Sequence, residues 1–196
     1  VEVTIVFNEA LQFLLKSVID LFVLAALARF FLQYFRAPFR NPVSEFVVAL
    51  TDFAVKPLRR IIPGWQGLDL ASLVLALGLE ILLVLLLLGL KGAPIWTGGP
   101  HIVPVIVLLA LINLLKYSIY LLIAAVFIQA ILSWVNPYSP ISSVLESITR
   151  PFMRPIRKLV PMIGRVDLSP LVLFLICQLI LMLPLSWLEQ VAIKMI

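Results

Sequence analysis

The chain has 196 residues, of which 63% are hydrophobic and 13% charged, with a formal net charge of +5. Soluble domains are nearer half apolar and a quarter charged, so this composition excludes an ordinary soluble domain and indicates an integral membrane protein. The single cysteine, Cys177, lies in an apolar run, which excludes an intramolecular disulfide and a cysteine-based metal site. The first residues lack the charged leader of a signal peptide, so we expect the first apolar segment to target the chain.

Four apolar segments are long enough to cross a bilayer of about 30 Å at about 1.5 Å per helical residue. We expect these spans at about residues 10–35, 68–90, 114–135 and 166–188. Residues 102–113 are apolar as well, and the sequence leaves open whether they cross the membrane or lie at its interface. The fourth span is interrupted by Pro184.

A short amphipathic pattern follows the first span. Residues 45–55 place their apolar side chains at helical spacing, which predicts a helix too short to span and suited to the membrane surface. Ser44 is a candidate N-cap, and Pro57 is expected to end this helix.

The segment after this helix occurs twice. A block from Pro57 to Pro63 recurs 98 positions later, from Pro155 to Pro161, without a gap. Its proline and basic positions are Pro57, Arg59, Arg60, Pro63, Pro155, Arg157, Lys158 and Pro161. We call these two blocks the basic elbows, because their prolines are expected to prevent a long regular helix.

The duplication predicts an all-α membrane protein with four transmembrane helices in two tandem parallel repeats, residues 1–98 and 99–196. Each repeat is a helical hairpin with an amphipathic interfacial helix. Lys and Arg concentrate in the segments that carry the elbows, whereas the middle loop offers only Lys91 and His101. The positive-inside rule therefore predicts that both elbows are cytoplasmic and both termini periplasmic.

Two apolar spans joined by a Pro-x-Arg-[Arg/Lys]-x-x-Pro block, with Asp69 or Asp167 opening the second span, resemble the YggT family, called YlmG in Gram-positive bacteria. The duplicated layout is similar to the two-repeat proteobacterial form. The resemblance implies a small inner-membrane protein tied to osmotic or ionic stress tolerance and to cell division and envelope organisation. In plastids it implies a role in maturation of a cytochrome complex. It implies no enzymatic activity and no cofactor.

The basic elbows attract anionic lipid headgroups at about 1 kcal/mol per residue near the surface, which would fix the topology. The alternative is a docking surface for a protein partner or an anionic ligand, favoured because the proline spacing is duplicated together with the charge. Asp69 and Asp167 are expected to cap the second and fourth spans and to pair with Arg59 or Arg60 and with Arg157. A proton or cation relay is the alternative for these carboxylates.

Several polar residues lie within the apolar spans, where a charge is costly and usually functional. We expect an intramembrane polar cluster of Lys16, Asp20, Glu80, Lys116 and Gln178. The cluster could hold buried pairs that fix helix register, with Glu80 protonated in one version. It could instead meet a partner's helix or line an ion or proton pathway. Arg29 lies nearer the membrane surface and is expected to extend its side chain towards it.

No metal-ligand spacing, nucleophile–base pair or phosphate loop is present in the sequence, and the basic residues lack the pattern of a nucleic-acid groove. We therefore expect no enzyme, no cofactor and no nucleic-acid partner. The leading hypothesis is an accessory, assembly or organising factor for a membrane complex, bound to anionic headgroups and to another integral membrane protein. The alternative is a small channel or transporter component for ions or osmolytes, which would act as a homo-oligomer.

Overall fold

The computed structural model describes residues 2–65, 67–92, 102–160 and 167–195. Pro161, Arg165 and His101, which the sequence singles out, lie outside these described residues. The helices are α1 (Glu2–Tyr34), α2 (Pro42–Ile61), α3 (Leu70–Leu90), α4 (Ile102–Val135), α5 (Pro140–Leu159), α6 (Ser169–Ile180) and α7 (Ser186–Ile193), with a π-helical turn (Leu181–Leu185) joining the last two. Over these ranges the protein is all-α, and its only β pairing is an isolated bridge between Trp65 and Leu68.

Four helices are long and apolar enough to cross a membrane: Val6–Tyr34, Leu70–Leu90, Ile102–Val135 and Ser169–Ile193. This confirms the predicted all-α, four-span class. Large apolar side chains such as Phe13 and Met182 stay exposed on these helices, as expected where lipid rather than water surrounds the protein. The parallel arrangement of the two repeats, and their boundary at residue 98, stay predictions.

The third span is longer than the expected 114–135. Helix α4 begins at Ile102 without interruption, and its first turns bury Ile106 and Leu109 against Val84 and Leu185. Pro104 does not break the helix, because an amide in the first turn has no intrahelical acceptor to lose. Residues 102–113 are therefore part of the packed helix and not a separate surface segment.

Helix α2 does not start or end where the sequence suggested. Its N-cap is Asn41, whose side chain accepts a hydrogen bond from the Ser44 backbone N–H at 2.9 Å, so Ser44 lies inside the helix. Pro42 occupies the first helical turn, where its fixed φ suits the helix.

The first proline of each elbow also lies within a helix, which corrects the expectation that it prevents regular structure, whereas Pro63 follows the end of α2. Helix α2 continues through Pro57 to Ile61, and α5 continues through Pro155 to Leu159. A proline in a helix interior costs about 3 kcal/mol through its lost hydrogen bond and its steric clash. We attribute the extension of α2 to the contacts of its last turn, above all the ion pair between Arg59 and Asp69.

The fourth span accommodates Pro184 by a local change of helix type. The π-helical turn Leu181–Leu185 contains the proline, and the Ser186 hydroxyl donates a hydrogen bond to the Leu181 carbonyl at 2.9 Å. A single π turn widens the helix, which gives the proline ring room while the chain keeps its direction.

Helix α4 lies at the centre of the packing. Its Leu114 contacts the core of α1 and α3 around Leu27 and Ala76, and its Val126 contacts the core of α5 and α6 around Met153. Small residues on α1 and α3, including Ala26 and Ala76, let these two helices approach closely.

Candidate functional site

The first polar site forms where α3 begins, because an aspartate there satisfies the free amides of the helix. Asp69 is the N-cap of α3, and its side chain is 1% exposed. Its Oδ1 accepts from the Ser72 backbone N–H at 3.4 Å, and its Oδ2 accepts from the Ser72 hydroxyl at 2.6 Å.

Helix α2 brings an arginine to the same carboxylate. Arg59 Nε donates to Asp69 Oδ1 at 3.2 Å and Arg59 Nη2 donates to Asp69 Oδ2 at 2.6 Å, a two-point contact. Burial alone would raise the pKa of Asp69, but the hydrogen bonds from Arg59 and Ser72 outweigh it and lower that pKa below its ordinary value. The same contact raises the pKa of Arg59. The carboxylate is therefore ionised, and it ties the end of α2 to the start of α3.

Arg29 joins this site from within the first span, and the expectation that it extends to the membrane surface is wrong. It is 4% exposed, and its Nη1 donates to the Thr51 hydroxyl at 2.8 Å and to Asp52 Oδ1 at 2.9 Å. Its Nε lies 3.5 Å from Asp69 Oδ2. Two carboxylates on neighbouring helices thus neutralise a guanidinium that would otherwise need water.

Asp52 completes the group. Lys56 Nζ lies 2.8 Å from Asp52 Oδ2, and this hydrogen bond, together with Arg29, lowers the pKa of Asp52. We call Arg29, Asp52, Lys56, Arg59 and Asp69 the ion cluster. It joins α1, α2 and the start of α3, and the sequence signal for it was the arginine at an intramembrane position that needed a partner.

The second repeat keeps one part of this arrangement. Arg157 Nε donates to Asp167 Oδ2 at 2.9 Å, and Asp167 Oδ1 accepts from the Ser169 backbone N–H at 2.9 Å. Burial would raise the pKa of Asp167, but hydrogen bonds from Ser169 and Arg157 lower it. Helix α6 has Leu168 as its N-cap residue, so Asp167 contacts the first turn from one residue further out.

Arg29 and Asp52 of the ion cluster have no counterpart in the second repeat, whereas Arg154 stands at the position of Lys56. Phe127 and Arg150 occupy the positions that correspond to Arg29 and Asp52, and both side chains are exposed. Thr149 stays buried like Thr51, with its hydroxyl 2.5 Å from Gln129 Oε1. The exposed fractions of the Arg157 and Asp167 side chains, 54% and 27%, compare with 42% and 1% for Arg59 and Asp69.

Within each elbow the second basic residue has no carboxylate partner among the described residues. Arg60 and Lys158 are exposed, and no carboxylate in the described part of the chain lies within 4 Å of either cation. Pro57, Pro63 and Pro155 are exposed beside them. Each elbow thus contains two kinds of basic residue. We call Arg59 and Arg157, which pair with an aspartate, the inward arginines, and Arg60 and Lys158 the outward cations.

The second polar site lies deep within the spans. Glu80 is completely buried on α3, and its Oε1 accepts from Asn113 Nδ2 at 2.7 Å. Asp20 on α1 accepts from the Tyr117 hydroxyl at 2.7 Å. Asn113 and Tyr117 are one turn apart on α4, so both carboxyl groups face the same strip of that helix. We call these four residues the polar layer.

Of the five residues expected to form one intramembrane cluster, Asp20 and Glu80 lie in the polar layer and the other three do not. Lys116 pairs instead with Glu189 on α7 at 2.5 Å. Lys16 and Gln178 are exposed on their helices. Sequence reasoning missed Tyr117 and Glu189 as partners, although the spacing of Asn113 and Tyr117 was a visible signal.

The arrangement limits the chemistry available. Over the described ranges, no group of three or more His, Cys, Asp or Glu side chains could hold a metal ion. An apolar cavity of about 490 Å³ lies between α1 and α2 on one side and α4 and α5 on the other, lined by residues such as Phe31, Leu121 and Val144. Its lining offers apolar contact rather than reactive groups.

Fold and site define a multi-pass, all-α membrane protein whose basic motif is present in two copies. A family model described as CCB3/YggT matches residues 8–90 and again residues 108–188. The chain therefore belongs to the CCB3/YggT family, as the sequence resemblance indicated.

Several bacterial proteins match most of the chain. A protein of Pseudomonas aeruginosa named PA0392 is 40% identical over 178 residues, which cover 90% of this chain and 88% of the relative. A protein of Vibrio alginolyticus named for the proC 3' region is 38% identical over 85% of this chain and 89% of its own length. YggT of Escherichia coli K12 is 36% identical over 88% of this chain and 87% of its own length. No solved structure matches the chain.

The two repeats provide a matched test of burial. Asp69→Asn leaves the buried Arg29 and the paired Arg59 without one carboxylate, which we expect to cost about 3 kcal/mol in the free energy of unfolding. Asp167→Asn breaks a half-exposed pair and should cost about 1 kcal/mol or less. Thermal unfolding of both variants in the same detergent measures the difference. Equal losses of stability would contradict the ranking.

The lowered pKa values of Asp52 and Asp69 predict sensitivity to acid. A carboxyl group whose pKa is lower in the folded state stabilises the fold fully above its unfolded pKa of about 4. That stabilisation is lost as the pH falls through the folded pKa. We therefore expect acidification below about pH 4 to lower the Tm of the wild-type protein and to reduce the difference in Tm between the wild type and Asp69→Asn. A difference in Tm that stays constant with pH would show that protonation of Asp69 is not coupled to unfolding.

Proposed function

We propose that the protein is a non-enzymatic accessory or organising factor for a membrane protein complex in the bacterial inner membrane. The elbows would face the cytoplasm and both termini the periplasm, in accord with the distribution of Lys and Arg. Osmotic or ionic stress tolerance and envelope or division organisation, which the family resemblance implies, are the processes in which we place it.

One observation carries this proposal: in the described part of the chain, each elbow has one basic residue that pairs with an aspartate and one that pairs with no carboxylate. Arg59 and Arg157 bind the aspartates that start the following helices. Arg60 and Lys158 stay exposed in the last turns of α2 and α5. The inward pair holds the elbow in shape while the outward cation is available to a ligand, which suits recognition better than catalysis.

The surroundings of the cations suit a partner at the membrane surface. Ile61 is 78% exposed, Leu159 is 83% exposed and Trp65 is exposed as well. Apolar and aromatic side chains beside unpaired cations favour contact with anionic headgroups and with acidic residues of a second membrane protein at the headgroup level. We propose both contacts, with the protein partner supplying specificity.

A second candidate is a component of an ion or osmolyte transporter, and the polar layer is the observation that favours it. Glu80 and Asp20 are carboxyl groups within membrane-spanning helices, where such residues often mark ion pathways. A pore would require several copies, because four packed helices leave little room for water. Liposome flux with Glu80→Gln as the inactive variant would distinguish this candidate from docking.

The docking proposal predicts the effect of removing the outward cations alone. In Arg60→Gln/Lys158→Gln the inward pairs remain, so we expect unchanged thermal stability. Loss of two surface charges worth about 1 kcal/mol each should weaken partner binding roughly thirtyfold. The measurement is co-purification of the tagged protein in a gentle detergent at native expression level, with the co-purifying membrane proteins quantified.

The matched control is Lys91→Gln/Lys194→Gln, which removes two exposed cations that lie outside the elbows. It should retain the partner at wild-type yield. Equal loss of the partner in both double variants would mean that net charge, not the elbow, governs binding. A wild-type protein that purifies only as a homo-oligomer would overturn the accessory function.

A further inference from the structure

Glu80 is the most buried carboxyl group in the described part of the chain. It lies ten residues from each end of α3, about 15 Å along the helix from either terminus, and it is completely buried. Its neighbours on the buried face of α3 include Ala76, Leu83 and Val84. An isolated charge at this depth is strongly unfavourable, because neither water nor lipid headgroups can solvate it.

The hydrogen bonds of Glu80 are too few for a carboxylate. An ionised carboxylate has about four acceptor positions on its two oxygens. In the described part of the chain, Glu80 Oε1 receives one hydrogen bond from Asn113, and Glu80 Oε2 is buried with no partner. By contrast Asp69, which is ionised, receives four hydrogen bonds from Arg59 and Ser72.

In the described part of the chain, Glu80 forms no ion pair with the charged groups around it. On α1, Asp20 is itself acidic and Lys16 is exposed. On α4, Tyr117 donates to Asp20, and Lys116 pairs with Glu189 of α7. Within the described ranges, no cation lies within 4 Å of the Glu80 carboxyl oxygens.

A second acid in the same layer reinforces this argument. Asp20 and Glu80 bind side chains that are four residues apart on α4, which places the two contacts about 6 Å apart along that helix. Neighbouring acids in a medium of low dielectric constant do not both ionise readily. Asp20 is only half-buried, so the fully buried Glu80 is the one to retain a proton.

We propose that Glu80 is a proton-binding site in the middle of the membrane, occupied by a proton at neutral pH, with Asn113 orienting the acid. The ligand is H⁺ itself. Its binding converts the Glu80 carboxylate to the neutral acid, so that charge and atoms balance. The site does not depend on the docking function proposed above.

Infrared spectroscopy of the protein in lipid nanodiscs tests this directly, because a protonated acid has a carbonyl stretching band that a carboxylate lacks. At neutral pH we expect one such band, equivalent to one carboxyl group per chain. It should be absent in Glu80→Gln and present in Asp20→Asn. Carbon-13 labelling of glutamate side chains should shift the band in the wild-type protein, so the test does not rely on any variant folding correctly.

The outcomes are separable. No protonated-acid band at neutral pH would overturn the proposal, since Glu80 would then be ionised. A band that disappears only in Asp20→Asn and does not shift with labelled glutamate would assign the proton to Asp20 and also overturn it. Neither result bears on the co-purification experiment, so the two proposals succeed or fail independently.

Discussion

The burial of the Arg29 guanidinium is the constraint on which the first half of the molecule depends. An arginine on a membrane-spanning helix must reach water or find carboxylates. Here Asp52 comes from α2 and Asp69 from the start of α3, so neutralising one side chain fixes three helices relative to one another. Asp69 also caps α3 and binds Arg59. This contact stabilises the last turn of α2, which continues beyond Pro57 although a proline disfavours a helix there.

The two repeats use the same aspartate for different purposes. In the first repeat Asp69 is buried among cations and hydroxyl groups. Its loss would leave the buried Arg29 guanidinium with one carboxylate fewer to compensate its charge. In the second repeat Phe127 replaces the arginine, and Asp167 keeps only the arginine of its own elbow. Both repeats therefore contain the pair that shapes the elbow, and the buried network is found in the first repeat.

Much of the fold was predictable because it depends on composition and on exact repetition. The four spans follow from segment length, and the pairing of Asp69 with Arg59 or Arg60, and of Asp167 with Arg157, was expected from their positions. The direction of the side chains on the spanning helices was not predictable. Helix α4 is apolar all round, so its sequence does not indicate which face carries Asn113 and Tyr117 inwards or that Lys116 meets Glu189. The helical prolines were missed for a related reason, since tertiary contacts compensate for a local penalty.

Asp69 and Glu80 show that burial alone does not decide whether an acid is charged. Both side chains are buried, and they lie eleven residues apart on one helix. Asp69 is at the end of the helix, where free amides and the helix dipole favour a negative charge and two arginines can reach it. Glu80 is in the middle, where every backbone amide is already bonded within the helix and the nearest polar partner on α4 is a neutral amide. The same helix therefore holds an anion at its start and a neutral acid at its centre.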